Sequence, residues 1–144
     1  MTVAALVVAI AGCLFILFIG ARFLLAPRVA MAGFSGIAAA LEAVEPEPMA
    51  RMRAYLDFAM GQPHVYEAMF SMPSGLPFGT GSSPEPLRRA FAAIRDAFPG
   101  PDDTRAEVAW AALHGLATLQ ISGRLPASRA QARLEHVHQR LTGD

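Results

Sequence analysis

The sequence predicts an all-α protein, a helical bundle preceded by one hydrophobic transmembrane-type helix, and three observations predict it. Apolar residues recur at intervals of three and four through most of the chain, which is helical periodicity rather than the alternation of strands. Clusters of Pro and Gly cut the chain into helix-sized pieces. The third observation is the stretch Arg105–Leu125, RAEVAWAALHGLATLQISGRL, where between Val108 and Ile121 the clearly polar side chains are His114, Thr118 and Gln120. A helix drawn through it is apolar nearly all round, so more than one side has to be covered.

Composition sets the bounds. At 144 residues there is room for one compact domain and an appendage, and 53% hydrophobic against 17% charged residues is too apolar for disorder. Twelve Arg and no Lys balance twelve Asp and Glu. That balance lacks the clustered positive charge that phosphate contacts need, so direct nucleic-acid binding is not expected. The single Cys13 permits neither an intrachain disulfide nor a cysteine-based zinc site, which fits a reducing compartment.

Taken in order, Met1 to Ala21 carries no charged side chain, and Val3–Ala26 is interrupted by Arg22 alone. As a helix this run is about 36 Å long, enough to cross a hydrocarbon core of about 30 Å. Arg22 and Arg28 place positive charge at its C-terminal end, so a single-pass membrane protein with a cytoplasmic C-terminal domain is expected, with residues 1–32 as the membrane helix. A cleaved signal peptide is the competing reading, with a small-x-small site at Ala30-Met31-Ala32. Against it, the amino-terminal flank is uncharged and Arg22 precedes the cleavage point.

Residues 33–48 read as a linker helix, with Ile37, Leu41 and Val44 at helical spacing and Glu45-Pro46-Glu47-Pro48 ending it. The remaining domain, 49–144, opens with a helix over Met49–Met60. Its inner face is read as Met52, Leu56, Ala59 and Met60, with Arg51, Arg53 and Asp57 elsewhere. Pro63 suits the first turn of the next helix, His64–Phe70. Ser71–Pro86, with four Pro, three Gly and four Ser, reads as a flexible loop. Leu87, Phe91, Ile94 and Phe98 restore the helical period until Pro99-Gly100-Pro101 stops it. Asp102 and Asp103 then supply caps for the apolar helix. After Pro126, Ser128 and Gln131 have capping-box spacing, and Ala130, Leu134, Val137 and Leu141 form a narrow seam of the kind used in helix pairing.

Among candidate sites, His114 and Thr118 are four apart and share a helix face, a polar stripe on an apolar rod. A buried histidine bonded within the core is one reading, and a polar anchor in a ligand cavity is the other. Tyr55, Phe58, Tyr66, Met69, Phe70, Phe91 and Trp110 are candidate walls, since aromatic and Met side chains receive apolar molecules of varied shape. Arg129, Arg133 and Arg140 read as a solvated face, and His136 and His138 are two apart, pointing away from one another. No nucleophile elbow, phosphate loop or metal motif is found. Gly79-Thr80-Gly81-Ser82-Ser83 has no following Lys, so neither an enzyme nor a cofactor or metal is expected.

Trp110, His114-Gly115 and Gly123-Arg124-Leu125, with Tyr55, Leu56-Asp57-Phe58-Ala59, Pro63, Tyr66 and Met69-Phe70 upstream, resemble the C-terminal ligand-sensing and dimerisation domain of tetracycline-repressor-like (TetR family) regulators. More narrowly they resemble the subgroup named WHG. The resemblance runs from about Leu41 to Leu141, with an apolar segment where the family carries its helix-turn-helix. It implies a sensing pocket for a small apolar ligand among the central helices. It also implies a homodimer, or a heterodimer with a full-length relative. Leu116, Leu119, Ala130, Leu134, Val137 and Leu141 are the expected interface. Gly20–Phe34 resembles the end of the first helix of a family of small uncharacterised membrane proteins. The other functional reading is a membrane-anchored structural or interaction protein with a non-sensing remnant domain, and a third is a regulator whose start has been lost.

Overall fold

The structure is a computed structural model, and it describes residues 28–70 and 82–143. Those residues form α1 (28–42), α2 (Pro48–Gly61), α3 (Pro63–Phe70), α4 (Glu85–Ala97), α5 (Thr104–Ile121), a 3₁₀ turn at Ala127–Arg129 and α6 (Ala130–Thr142), with no strand among them. The transmembrane-type helix read from residues 1–32 lies outside the described residues up to residue 27. Residues 28–32 are the first turns of α1, and among the described residues no helix is long and apolar enough to cross a membrane. The loop read at Ser71–Pro86 lies outside them up to residue 81.

α1 belongs to the bundle. The stretch read as a linker buries Phe34, Ile37, Ala38 and Leu41 in the same core as α2, α4 and α5. Two glycines let it approach closely. A Cβ on Gly33 would stand 2.5 Å from Met69 Cγ, and one on Gly36 would stand 3.0 Å from Phe58 Cε2. Outside that contact, Arg89 of α4 donates from Nε to Glu42 Oε1 at 3.0 Å.

α2 starts where Pro48 occupies its first turn and the Glu47 carboxylate accepts from the backbone N–H groups of Met49 and Ala50 at 3.0 and 2.7 Å. Those amides have no partner inside the helix, so the carboxylate both caps them and meets the positive end of the dipole. Two expectations for this helix are corrected. Met60 is 45% exposed, while Arg51 is buried and donates from Nε to the Glu45 carbonyl. Its guanidinium is used to tie the turn before α2 rather than to face water.

α5 is the central rod. It packs chiefly on α2 and α4, burying Ala106, Ala109, Trp110, Leu113 and Ala117. Asp102, not Asp103, caps it, accepting from the Thr104 N–H at 3.0 Å. It ends at Gly123, whose φ of 70° suits a residue without Cβ and lets Arg124 N–H bond back to the Leu119 carbonyl at 2.9 Å. The Ser128–Gln131 capping box does not form. Ser128 falls inside the 3₁₀ turn closed by Arg129 N–H on the Pro126 carbonyl, and Gln131 bonds Glu135 instead.

Candidate functional site

Three side chains from three helices make a polar chain through the core. The Tyr55 hydroxyl of α2 and the Tyr66 hydroxyl of α3 are 2.8 Å apart, and Tyr66 is 2.8 Å from His114 Nδ1 on α5. Trp110, one turn before His114, meets the Tyr55 ring edge-on with centroids 6.4 Å apart. The rings support the same arrangement: Tyr55 meets Tyr66 edge-on with centroids 5.9 Å apart, and Phe70 packs on His114 at 4.3 Å. Burial pushes both phenols well above their usual range, so they stay protonated. Burial also lowers the His114 imidazole below its usual value, which favours the neutral ring near pH 7.

His114 is the outer end of this chain. It opens onto a groove of about 460 Å³ lined by Tyr66, Glu67, Phe70, His114, Thr118, Ile121 and Ser122. Of the residues expected to line a ligand cavity, the structure brings Tyr66, Phe70, His114 and Thr118 together here. Tyr55, Phe58, Met69, Phe91 and Trp110 do not line this groove. They are core, with Phe91 stacked on Trp110 at 5.6 Å. Glu67, Ile121 and Ser122 were not anticipated. Helical arithmetic points to them, since Ile121 and Ser122 follow Thr118 by three and four and Glu67 precedes Phe70 by three.

A second depression, about 580 Å³ between the start of α2 and the α4–α5 turn, is lined by Arg51, Arg95, Asp96, Asp102 and Asp103 among others. It mixes both signs of charge and has no aromatic wall. Among the described residues no group of His, Cys, Asp and Glu is placed to hold a metal ion.

The expected interface residues divide. On α6, Leu134 is 5% exposed and Val137 and Leu141 are packed against the protomer's own core, while Ala130 is half-buried. The seam is therefore taken up largely by α2 and α5 of the same chain. On α5, Leu116 is half-buried, whereas Leu119 and Val108 are exposed at 37% and 51%. Ala112 and Gly115 lie between them at helical spacing, and a Cβ on Gly115 would meet nothing within 4 Å.

A family model described as "Tetracyclin repressor-like, C-terminal domain" matches residues 49–141. The chain belongs to that family. The match covers α2 to α6 of this tetracycline repressor-like domain, including both walls of the groove and the whole polar chain. The described helices fit the family's all-α architecture. No curated protein and no solved structure matches the chain.

Proposed function

We propose that the chain is the ligand-sensing and dimerisation module of a tetracycline repressor-type regulator, of the subgroup named after the residues that stand here as Trp110, His114 and Gly115. The groove carries the sensing half. At about 460 Å³ it is the size of a small-molecule site, and it sets the aromatic faces of Tyr66 and Phe70 beside polar groups on His114, Thr118 and Ser122. The stripe Val108, Ala112, Gly115, Leu119, exposed at its two ends, supports the pairing half. Its spacing of four, three and four is that of a helix–helix seam, and its small middle residues let a second helix approach closely.

Pairing is assigned mainly to α5, with Leu116 and Ala130 at its margin, and the partner is a second copy or a full-length relative. Tethering to a membrane through residues 1–32 is part of the proposal and rests on the sequence alone, on the uncharged run to Ala21 followed by Arg22 and Arg28.

Sedimentation across a concentration series tests the pairing. The chain is expected to associate and Leu119→Glu to remain a monomer of unchanged helicity. A monomer at every concentration removes the dimer. A thermal-shift series with apolar compounds tests the sensing. A hundredfold excess over Kd stabilises the bound state by about 2.7 kcal/mol. Failure of every compound to shift the transition points to a domain that no longer senses.

A further inference from the structure

The polar chain has a direction, and the direction decides what the groove offers a ligand. Tyr66 stands between two partners, the Tyr55 hydroxyl at 2.8 Å and His114 Nδ1 at 2.8 Å. A phenol O–H is a stronger donor than an imidazole N–H, and a bare imidazole nitrogen is a stronger acceptor than a phenol oxygen. Tyr66 therefore sends its proton to Nδ1, and its oxygen accepts from Tyr55. Nδ1 is thus an acceptor. A neutral imidazole carries one proton, so that proton sits on Nε2. Among the described residues Nε2 has no hydrogen-bond partner, and its ring lines the groove.

The remaining lining completes the specification. Phe70 and Ile121 are apolar, Tyr66 gives its hydroxyl to the chain, Ser122 donates its own to the Leu119 carbonyl, and Thr118 adds a hydroxyl. Among the described residues the one charged side chain in the lining is Glu67, an exposed carboxylate. Among them no Arg or Lys lines the groove, so an anionic ligand finds no counter-charge there and meets repulsion instead.

From this geometry we infer that the groove selects small, uncharged, predominantly apolar molecules carrying a carbonyl-type acceptor, which takes a hydrogen bond from His114 Nε2–H. The inference rests on the sensing role proposed above and adds the chemical class. His114 touches the ligand. Tyr55 and Tyr66 act through it as positioning residues, each fixing the proton of the next.

Two measurements on the full chain test it. With ¹⁵N-labelled histidine, two-bond ¹H–¹⁵N spectra read the tautomer, and His114 is expected as Nε2–H. An Nδ1–H pattern overturns the direction of the chain. Tyr66→Phe keeps the ring but removes the proton that pins Nδ1, so a mixture of tautomers is expected. The second measurement titrates acetophenone and ethylbenzene, near in size and differing at a carbonyl, following the Phe70 and His114 ring signals. One net hydrogen bond corresponds to about a tenfold change in affinity. The acetophenone-to-ethylbenzene affinity ratio is accordingly expected to drop about tenfold in His114→Leu. His114→Gln, whose amide still donates from a similar position, is expected to retain most of the ratio. Binding of both probes with a ratio indifferent to residue 114 overturns the acceptor preference and leaves the sensing role standing. Binding of neither probe overturns both.

Discussion

The two faces of α5 are built from nearly the same residue types and have opposite fates. Ala106, Ala109, Leu113 and Ala117 are buried against α2 and α4, whereas Val108, Ala112, Gly115 and Leu119 form a stripe exposed at both ends. A helix that meets water on one side ordinarily turns polar there, because an exposed apolar side chain gains nothing from burial. Here it does not. Hydrophobicity alone cannot tell the packed face from the presented one. What separates them is which neighbours the chain has provided, and among its described residues this chain leaves Val108 and Leu119, the two ends of that stripe, exposed.

Leu113 and Leu119 put that contrast to the sharpest test, being the same residue on one helix. Leu113→Ala opens a cavity in the core and is expected to cost about 2–5 kcal/mol in urea unfolding. Leu119→Ala, measured at concentrations too low for association, is expected to stay within about 0.5 kcal/mol. Similar losses at both sites would mean that the outer face is packed after all. A smaller effect of opposite sign is expected at Gly115. Its missing Cβ is not needed by any neighbour, so Gly115→Ala is expected to raise protomer stability by about 0.5–1 kcal/mol through helix propensity. In a close-packed dimer the same methyl group stands in the seam, and association is expected to weaken while folding improves.

The weakest effect is read in pH. Burial lowers the His114 pKa in the folded chain below its unfolded value of about 6.5, so the unfolded chain binds the extra proton first. The stability linked to this residue is complete above about pH 6.5, declines as the pH falls from there through the folded pKa, and is level below it. Comparing urea midpoints at pH 7.5 and pH 5.5 for the native chain and His114→Gln isolates this contribution, which the variant is expected to lack.

How far the sequence could be read follows the same division between faces. Helix positions follow from apolar spacing and from the Pro and Gly interruptions, because those signals are local: Pro63 opens α3, and Gly123 closes α5. The groove was half visible, since Tyr66, Phe70, His114 and Thr118 were among the candidates. Which aromatics line a cavity and which fill the core depends on the relative placement of α2, α3 and α4, and no spacing within one helix carries that information. Phe91 and Trp110 read as cavity walls for this reason, yet they stack on each other inside. The α6 seam divides in a similar way, with Leu134 buried and Ala130, Val137 and Leu141 partly so. A four-and-three pattern announces a partner helix but not whose helix it is, and the start of α6 lies close enough to Leu56 and Met60 of α2 for Leu134 to be covered within the chain. Arg51 and Glu47 were missed because a turn tied by a guanidinium and an amide pair held by a carboxylate leave no periodic trace.

The approach at Gly33 couples two things that lie far apart along the chain. Met69, which fills the space where a side chain on residue 33 would be, is on the same short helix as Tyr66 and Phe70. A side chain at residue 33 would therefore press on the helix that carries two of the groove's aromatic walls, so the glycine there is as much a requirement of the cleft as of the packing between α1 and α3.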